Sequence, residues 1–296
     1  MAKAKSELAE LNAADRDAFV AALGGVFENA PWVAARAWSG RPFATVADLH
    51  HALMTALKGV SEAEQMAFIR GHPELGSNMA RSGAMTHASR QEQGSLGLDR
   101  LSEADLQRFE RLNADYHDRF GMPFIICVRR HTRPSILSEY ARRIANGSEA
   151  ERAVALEEVG HITRLRLNAI VEGPGKPPTD GRLSTHVLDL VLGKPAVGVR
   201  VVLKELAGSA EGVLKEAVTN ADGRTDGPLL AGSPLRIGSY EIAFHIGAYF
   251  AERGAATSRP PFLDVVPIRF AIAEPEAHYH VPLLASPWAY STYRGS

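Results

Sequence analysis

Cysteine is almost missing. Cys127 is the only one in 296 residues, which excludes an internal disulfide framework and a thiolate-ligated zinc site. It lies in the apolar run Phe124-Ile125-Ile126-Cys127-Val128, where a thiol behaves as a small buried hydrophobe rather than a nucleophile. An excess of either charge is missing too. With 33 Lys and Arg against 34 Asp and Glu, the formal net charge of -1 argues against a general nucleic-acid or anionic-membrane binder and for small-molecule partners. No apolar stretch approaches the roughly 20 residues a membrane span requires. The first residues, with Lys3, Lys5 and Glu7 and no apolar segment, lack the make-up of a secretory signal, so a cytoplasmic location is expected. Internal repeats and low-complexity tracts are absent.

An apolar content of 45% over 296 residues is ordinary for soluble globular chains, and the length suggests two domains, each with its own core. The first part reads as successive helices. Thr45 with Asp48 and Ser61 with Glu64 form capping boxes before the stripes Leu49, Leu53, Ala56, Leu57, Val60 and Met66, Phe68, Ile69. Ser102 and Asp105 open a helix carrying Leu106, Phe109, Leu112, Tyr116 and Phe120, stopped by Gly121. Pro134 opens another, ending near Asn146-Gly147, and Ser148 with Glu151 reads as a further capping box. In that last helix the stripe Ala155, Val159, Ile162, Ala169, Ile170 is interrupted by Arg166, whereas Arg164 falls on the polar face with Glu157 and His161. An arginine in a buried stripe needs an anion, either a structural carboxylate or that of a substrate.

Residues 1–171 therefore read as an all-helical domain. The aperiodic, Gly- and Pro-punctuated stretch 172–181 reads as a linker. Beyond it the apolar period changes to two, in Val197, Val199, Val201, Leu203, then Tyr240, Ile242, Phe244, Ile246, then Val266, Ile268, Phe270, Ile272. Asn220-Ala221-Asp222-Gly223 is a turn, and a short helix is expected around Tyr249 to Gly254. Residues 182–296 are thus an antiparallel β-sandwich. Its end is dense in functional side chains, with His278 and His280 at strand spacing, then Trp288, Tyr290, Tyr293 and Arg294.

A lone strand histidine is more commonly a satisfied surface or core residue than a catalyst. Four ordered motifs change that balance: Ser184-Thr185-His186-Val187-Leu188-Asp189, Gly223-Arg224-Thr225, Tyr279-His280-Val281-Pro282-Leu283-Leu284 and Tyr293-Arg294-Gly295-Ser296. Together they resemble 5-hydroxyisourate hydrolases, the enzyme branch of the transthyretin-like family. The resemblance implies a transthyretin-like sandwich assembled as a homotetramer, with His186, Arg224, His280 and the tail Tyr293, Arg294, Gly295 and Ser296 lining the site. Opening the substrate ring adds water to an amide-like carbonyl. His186 and His280 would activate the water, Arg224 would bind the substrate anion and developing oxyanion, and Tyr293 and Arg294 would close the pocket. His278 shares a strand face with His280 but matches the flank of the motif. The rival reading is a transthyretin-like carrier, which has no need of paired bases.

In the first domain, Gly71-His72-Pro73-Glu74-Leu75-Gly76, Ser89-Arg90-Gln91-Glu92-Gln93, Phe124-Ile125-Ile126-Cys127-Val128-Arg129 and Leu165-Arg166-Leu167 resemble 2-oxo-4-hydroxy-4-carboxy-5-ureidoimidazoline (OHCU) decarboxylases. Leu96 stands where that family has a smaller residue. The resemblance implies a helical, cofactor-independent and metal-free enzyme, commonly dimeric. His72 would be the proton donor, fixed by Pro73, with Glu92 as its acid/base partner. Ser89 and Gln93 would hold the ureido and ring groups, Ile125 and Ile126 would supply backbone and apolar contacts, and Arg166 would pair with a substrate anion. The two resemblances together imply consecutive steps of urate breakdown ending in (S)-allantoin. The partners would be the two small-molecule substrates and further copies of the chain, a tetramer through the β-domain with dimer contacts through the helical one. The alternative is a hydrolase with an inactive helical domain.

Overall fold

The structure, a computed structural model, describes residues 5–76, 86–207, 210–255 and 258–295. It divides into two compact units, residues 1–129 with 136–178 and residues 130–135 with 179–296.

The first unit is helical because its local signals agree with its packing. In helix Val46–Lys58 the Thr45 hydroxyl accepts from Asp48 N at 3.0 Å and Asp48 Oδ2 accepts from Thr45 N at 3.0 Å, the reciprocal box read from the sequence. Helix Glu62–Arg70 starts in the same way at Ser61 and Glu64. Helix Glu103–Phe120 begins at Ser102 and ends at Gly121, whose φ of 63° is the left-handed conformation glycine adopts without strain. Leu49, Leu53 and Leu57 are fully buried in one core with Phe19, Val33 and Leu167. Helix Arg133–Arg143 precedes the long helix Ser148–Ile170.

The expected capping box of Ser148 and Glu151 does not form. Gly147 occupies the cap, and Glu151 turns inward, fully buried, as the counter-ion of the equally buried Arg143, with Arg143 Nη2 at 2.6 Å and Nε at 2.8 Å. The Tyr116 hydroxyl and Asn146 Nδ2 complete the shell around this carboxylate, and Arg143 Nη1 donates to the Ile125 carbonyl at 2.7 Å. A buried charge must be paired and hydrogen-bonded to be tolerated, and this tertiary demand overrides the local cap.

The glycine- and proline-rich stretch begins within the helical unit. Strand β1 (Ser6–Glu7) pairs in parallel with β2 (Val171–Glu172), and the Pro174 and Gly175 carbonyls accept from Val46 N and Ala47 N at 3.0 and 3.1 Å. At Gly175, with φ of 59°, a Cβ would lie 2.7 Å from Thr45 Cγ2, so only glycine permits this close approach to the helix start.

In the second unit the strands are β3 (Gly181–Ser184), β4 (Val187–Asp189), β5 (Lys194–Pro195), β6 (Arg200–Ala207), β7 (Ala210–Val218), β8 (Leu230–Ser233), β9 (Gly238–His245), β10 (Val265–Ile272), β11 (His278–His280), β12 (Leu283–Ala285) and β13 (Tyr290–Ser291). One sheet has the antiparallel order β10-β9-β6-β7, and its alternating Val201, Leu203, Tyr240, Ile242, Phe244, Val266 and Ile272 are buried in one cluster with Leu183, Val187, Leu283 and Ala285. Phe270 is half-buried. Val197 lies outside the strands and is exposed, and Ile246 begins helix Ile246–Glu252, which starts three residues before the expected Tyr249.

The segment Gly181–Asp189 is broken at Thr185-His186 into β3 and β4, which lie in different sheets, orders β11-β3-β8 and β13-β12-β4-β5. The closing strand breaks at Val281-Pro282 to follow it, so β11 pairs with β3 and β12 with β4, both in parallel. Among the described residues, the other strand pairs of this unit are antiparallel. The crossing is fixed by Val281 N donating to Ser184 O at 3.0 Å, Leu283 N to His186 O at 2.8 Å and the Thr185 hydroxyl to Val281 O at 2.7 Å. No helix among the described residues is long and apolar enough to cross a membrane.

Candidate active sites

In the helical unit, the turn after Gly71 holds His72. Its backbone N–H reaches Ile69 O at 3.1 Å, its Nδ1 lies 3.1 Å from the Phe68 carbonyl, and its ring stands edge-on to Phe68 with centroids 4.7 Å apart. Only a protonated Nδ1 makes a favourable bond to a carbonyl, which leaves Nε2 as the nitrogen able to exchange a proton with a bound molecule. Burial, foremost, and the Arg166 charge hold the imidazole below its usual pKa, against the Phe68 carbonyl and the Glu28 carboxylate. A neutral His72 takes up a proton before it can deliver one.

Helix His87–Gly94, capped by Thr86, presents Ser89, Glu92 and Gln93 at helical spacing. Arg166 grips Glu92 through both arms of its fork, Nε to Oε1 at 2.8 Å and Nη2 to Oε2 at 2.7 Å, with Ser89 Oγ 3.1 Å from Nη2. Its Nη1 donates to Glu28 Oε2 at 3.0 Å, and Glu28 also accepts from the Thr86 and Ser89 hydroxyls at 2.7 and 2.9 Å. Burial pushes the Glu28 carboxyl up, but Thr86, the Arg166 charge and Ser89 outweigh it, so it lies below the usual carboxylate range. The stripe arginine thus has two carboxylates of its own chain. Glu28 was not among the residues singled out from the sequence; the signal was there, a lone acid in the apolar stretch Val26-Phe27-Glu28-Asn29-Ala30-Pro31-Trp32-Val33.

Gln93 anchors the loop beyond Pro73, its Oε1 accepting from Gly76 N at 3.1 Å and its Nε2 donating to Glu74 O at 3.3 Å. Around a cavity of about 40 Å³, His72, Pro73, Ser89, Glu92, Gln93 and Arg166 face an apolar wall that includes Leu75, Phe124, Ile125, Ile126 and Ile162. All eight residues expected for this site line it. His72 and Pro73 also line a neighbouring cavity of about 710 Å³ with Glu28, Glu74 and Thr86.

In the β unit the two strand breaks assemble the second site. His186 pairs through its backbone with Arg224, and His280 with Gly295, Gly295 N donating to His280 O at 2.9 Å. Asn220 Oδ1 accepts from Asp222 N at 3.0 Å and Arg224 N at 3.2 Å, shaping the turn that delivers Arg224. Gly223, at φ of 69°, leaves no room for a Cβ, which would meet Val187 O at 2.4 Å and His186 Cδ2 at 3.1 Å. Ser184, Thr185, Arg224, His278 and His280 line an open cavity of about 340 Å³. His186 Nε2 is buried and finds no hydrogen-bond partner among the described residues. Burial first, then the Arg224 charge, hold both His186 and His280 below the usual imidazole pKa, so both are ready to accept protons.

The tail divides. Gly295 sits against the His280 ring, where a Cβ would come within 2.9 Å of Cδ2, but Arg294 turns to Glu274 at 3.3 Å and stacks over Tyr279 at 4.6 Å. Tyr293 is exposed, and Ser296 lies outside the described residues. Sequence reasoning left out Ser184 and treated His278 as a flank, yet the Ser184 hydroxyl touches both His278 and His280.

Comparison with known proteins divides the chain in the same way. The OHCU decarboxylase family model matches residues 12–168, and that of the HIUase/transthyretin family matches residues 183–295. The 2-oxo-4-hydroxy-4-carboxy-5-ureidoimidazoline decarboxylase of Amia calva is 40% identical over 168 residues, 57% of this chain and 96% of its own length. The 5-hydroxyisourate hydrolase 2 of Rhizobium meliloti strain 1021 is 53% identical over 116 residues, 39% of this chain and 97% of its own. A crystal structure of (S)-allantoin synthase covers 98% of this chain and is itself covered completely, at 34% identity and a TM-score of 0.52. The chain therefore belongs to two enzyme families at once, to the OHCU decarboxylases through its helical region and to the HIUase/transthyretin family through its β-sandwich.

Proposed function

We propose that the chain makes (S)-allantoin in two steps, opening 5-hydroxyisourate in the β-sandwich and decarboxylating the resulting OHCU in the helical domain. The reading is carried by one chain that holds His72, Glu92 and Arg166 around one cavity and Arg224 and His280 around another, with 98% of it matched by an (S)-allantoin synthase structure.

In the β site, His186 and His280, both held neutral, draw a proton from water as it adds to the carbonyl, and Arg224 stabilises the oxyanion. In the helical site, loss of carbon dioxide leaves an electron pair that the neighbouring C=N of the ring absorbs. His72 Nε2, paired functionally with Glu92, manages the proton that must reach one face of the ring, and one-face delivery makes a single enantiomer. Arg166, supported by Glu28 and Glu92, orients the anionic substrate, while Ser89 and Gln93 hold its polar edge. Ile125 and Ile126 form the dry wall and Pro73 fixes His72.

The domains in this proposal run over 1–171 and 182–296, joined by 172–181. The chain is cytoplasmic, needs neither metal nor cofactor, and assembles as a homo-oligomer, a tetramer through the β domain whose neighbours bring Tyr293, Arg294 and Ser296 to the site. Fusing consecutive steps raises the effective concentration of an unstable intermediate.

The test is to generate 5-hydroxyisourate from urate and urate oxidase, add the protein, and follow absorbance with circular dichroism. Rapid loss of 5-hydroxyisourate with prompt, optically active allantoin is expected. Slow racemic allantoin after rapid ring opening would leave the helical site inactive, and no acceleration of either phase would leave a binding protein.

A further inference from the structure

Ser184 Oγ lies 2.8 Å from His278 Nε2 and 3.0 Å from His280 Nδ1. A serine hydroxyl carries one proton, so between two imidazoles it donates to one and accepts from the other. The pairing of β3 with β11 sets Ser184 opposite His280 and Arg182 opposite His278, and strand alternation puts both histidines on one face. All three side chains line the 340 Å³ cavity beside Arg224. Ser184 is buried, His280 half-buried and His278 exposed. The trio runs from the reaction site to water.

We propose that His280, Ser184 and His278 form a relay that carries the proton released by ring opening out to solvent. It rests on the ring-opening reading above. Hydrolysis of the lactam yields a carboxylic acid, which is ionised at neutral pH, so one net proton must leave in each turnover. With Nδ1–H donated to Ser184, His280 Nε2 takes a proton from water as the water oxygen bonds to the carbonyl carbon. The C–N bond then breaks, and the nitrogen leaves with the proton returned from Nε2. Nε2 next accepts the proton of the new carboxylic acid. Nδ1 passes its own proton to Ser184 Oγ while the serine proton moves to His278 Nε2, and His278 sheds its Nδ1 proton to water. Each transfer forms one N–H or O–H bond as it breaks another, and exchange with water resets the rings. Burial, foremost, and the Arg224 charge disfavour a protonated His280, which drives the proton outward.

The experiment follows ring opening by the full chain in weak buffer, with and without added imidazole. H278A, at an exposed position, and S184A are expected to keep KM and lose kcat on the order of a hundredfold, the scale of general acid–base assistance. Imidazole restores the loss in proportion to its concentration, and S184T, which keeps the hydroxyl, stays near the parent. Unchanged kcat for H278A and S184A in weak buffer overturns the relay, and so does a loss that imidazole does not relieve, because a packing defect has no buffer dependence. A parent chain that does not open 5-hydroxyisourate overturns the ring-opening reading itself.

Discussion

The helical site and the β site handle charge in opposite ways. Around His72 the fixed charges are paired, with the Arg166 side chain only 10% exposed and gripped by Glu28 and Glu92 beside a cavity of about 40 Å³. Around His280 the cavity is about 340 Å³, and His186 Nε2 has no hydrogen-bond partner among the described residues. The difference follows the chemistry proposed for each. Decarboxylation consumes no water and gains from a dry pocket where fixed charges act at full strength, whereas hydrolysis needs water as a reactant and an outlet for its proton. Within one chain, how far the charges of each site are paired tracks the place of water in its reaction.

The largest effect that separates the units is structural. Arg143→Met strands the fully buried Glu151 and releases the Ile125 carbonyl, and breaking such a pair costs about 3–5 kcal/mol. Thermal unfolding followed by helical ellipticity should move to markedly lower temperature while ring opening at ambient temperature persists. Loss of both together would break the comparison. Next comes Arg166→Met, which leaves Glu28 and Glu92 facing each other without their cation. Decarboxylation is expected to fall about a hundred- to a thousandfold, as on removing a preorganised charge, with ring opening unchanged. The formation of optically active allantoin reads the first and 5-hydroxyisourate absorbance the second.

These two arginines also mark what the sequence could disclose. Arg166 was legible as an anomaly because a helical period is local, and so were the caps at Thr45, Ser61 and Gly121. Its partner Glu28 was not, because the contact joins positions 138 residues apart and no periodicity reports it. Glu151 was misread, since the acid that completes a capping box is the same residue type that neutralises a buried guanidinium; only the tertiary position of Arg143 decides. The strand breaks at Thr185-His186 and Val281-Pro282 were hidden for a related reason. Each flank reads as strand, and the switch between sheets exists only in the mutual pairing of the two segments. Pro282, which cannot donate to a ladder, was the local hint.

The difference sharpens further with pH. His186 and His280 both lie below the usual imidazole pKa of about 6.5, with Arg224 the next cause after burial. Their neutral forms therefore persist below that pH, and kcat/KM for ring opening should stay level as pH falls through 6.5, declining only when the folded-state imidazoles protonate. Arg224→Met removes a cation that disfavours their charging, so the decline should begin at higher pH on top of any loss of rate. His72 answers to Arg166 and Glu28 instead, so the same substitution should leave the pH profile of decarboxylation in place.

The smallest effect tests whether burial, rather than the Arg–Glu contact itself, makes the helical site what it is. Arg294 meets Glu274 at 3.3 Å, a contact of the kind Arg166 makes, but the two side chains are 64% and 67% exposed. In water the Coulomb gain is screened and the side-chain entropy of holding the pair is not, so such pairs contribute about 0–1 kcal/mol. Glu274→Gln should accordingly leave stability almost unchanged and shift KM for ring opening by no more than about fivefold, the equivalent of 1 kcal/mol. The direction is informative, because freeing Arg294 from Glu274 lets it lean on an anionic substrate and lowers KM. A rise in KM, or a loss of stability near that of Arg143→Met, would mean that the tail is held by this pair and that the open site is as dependent on its salt bridge as the closed one.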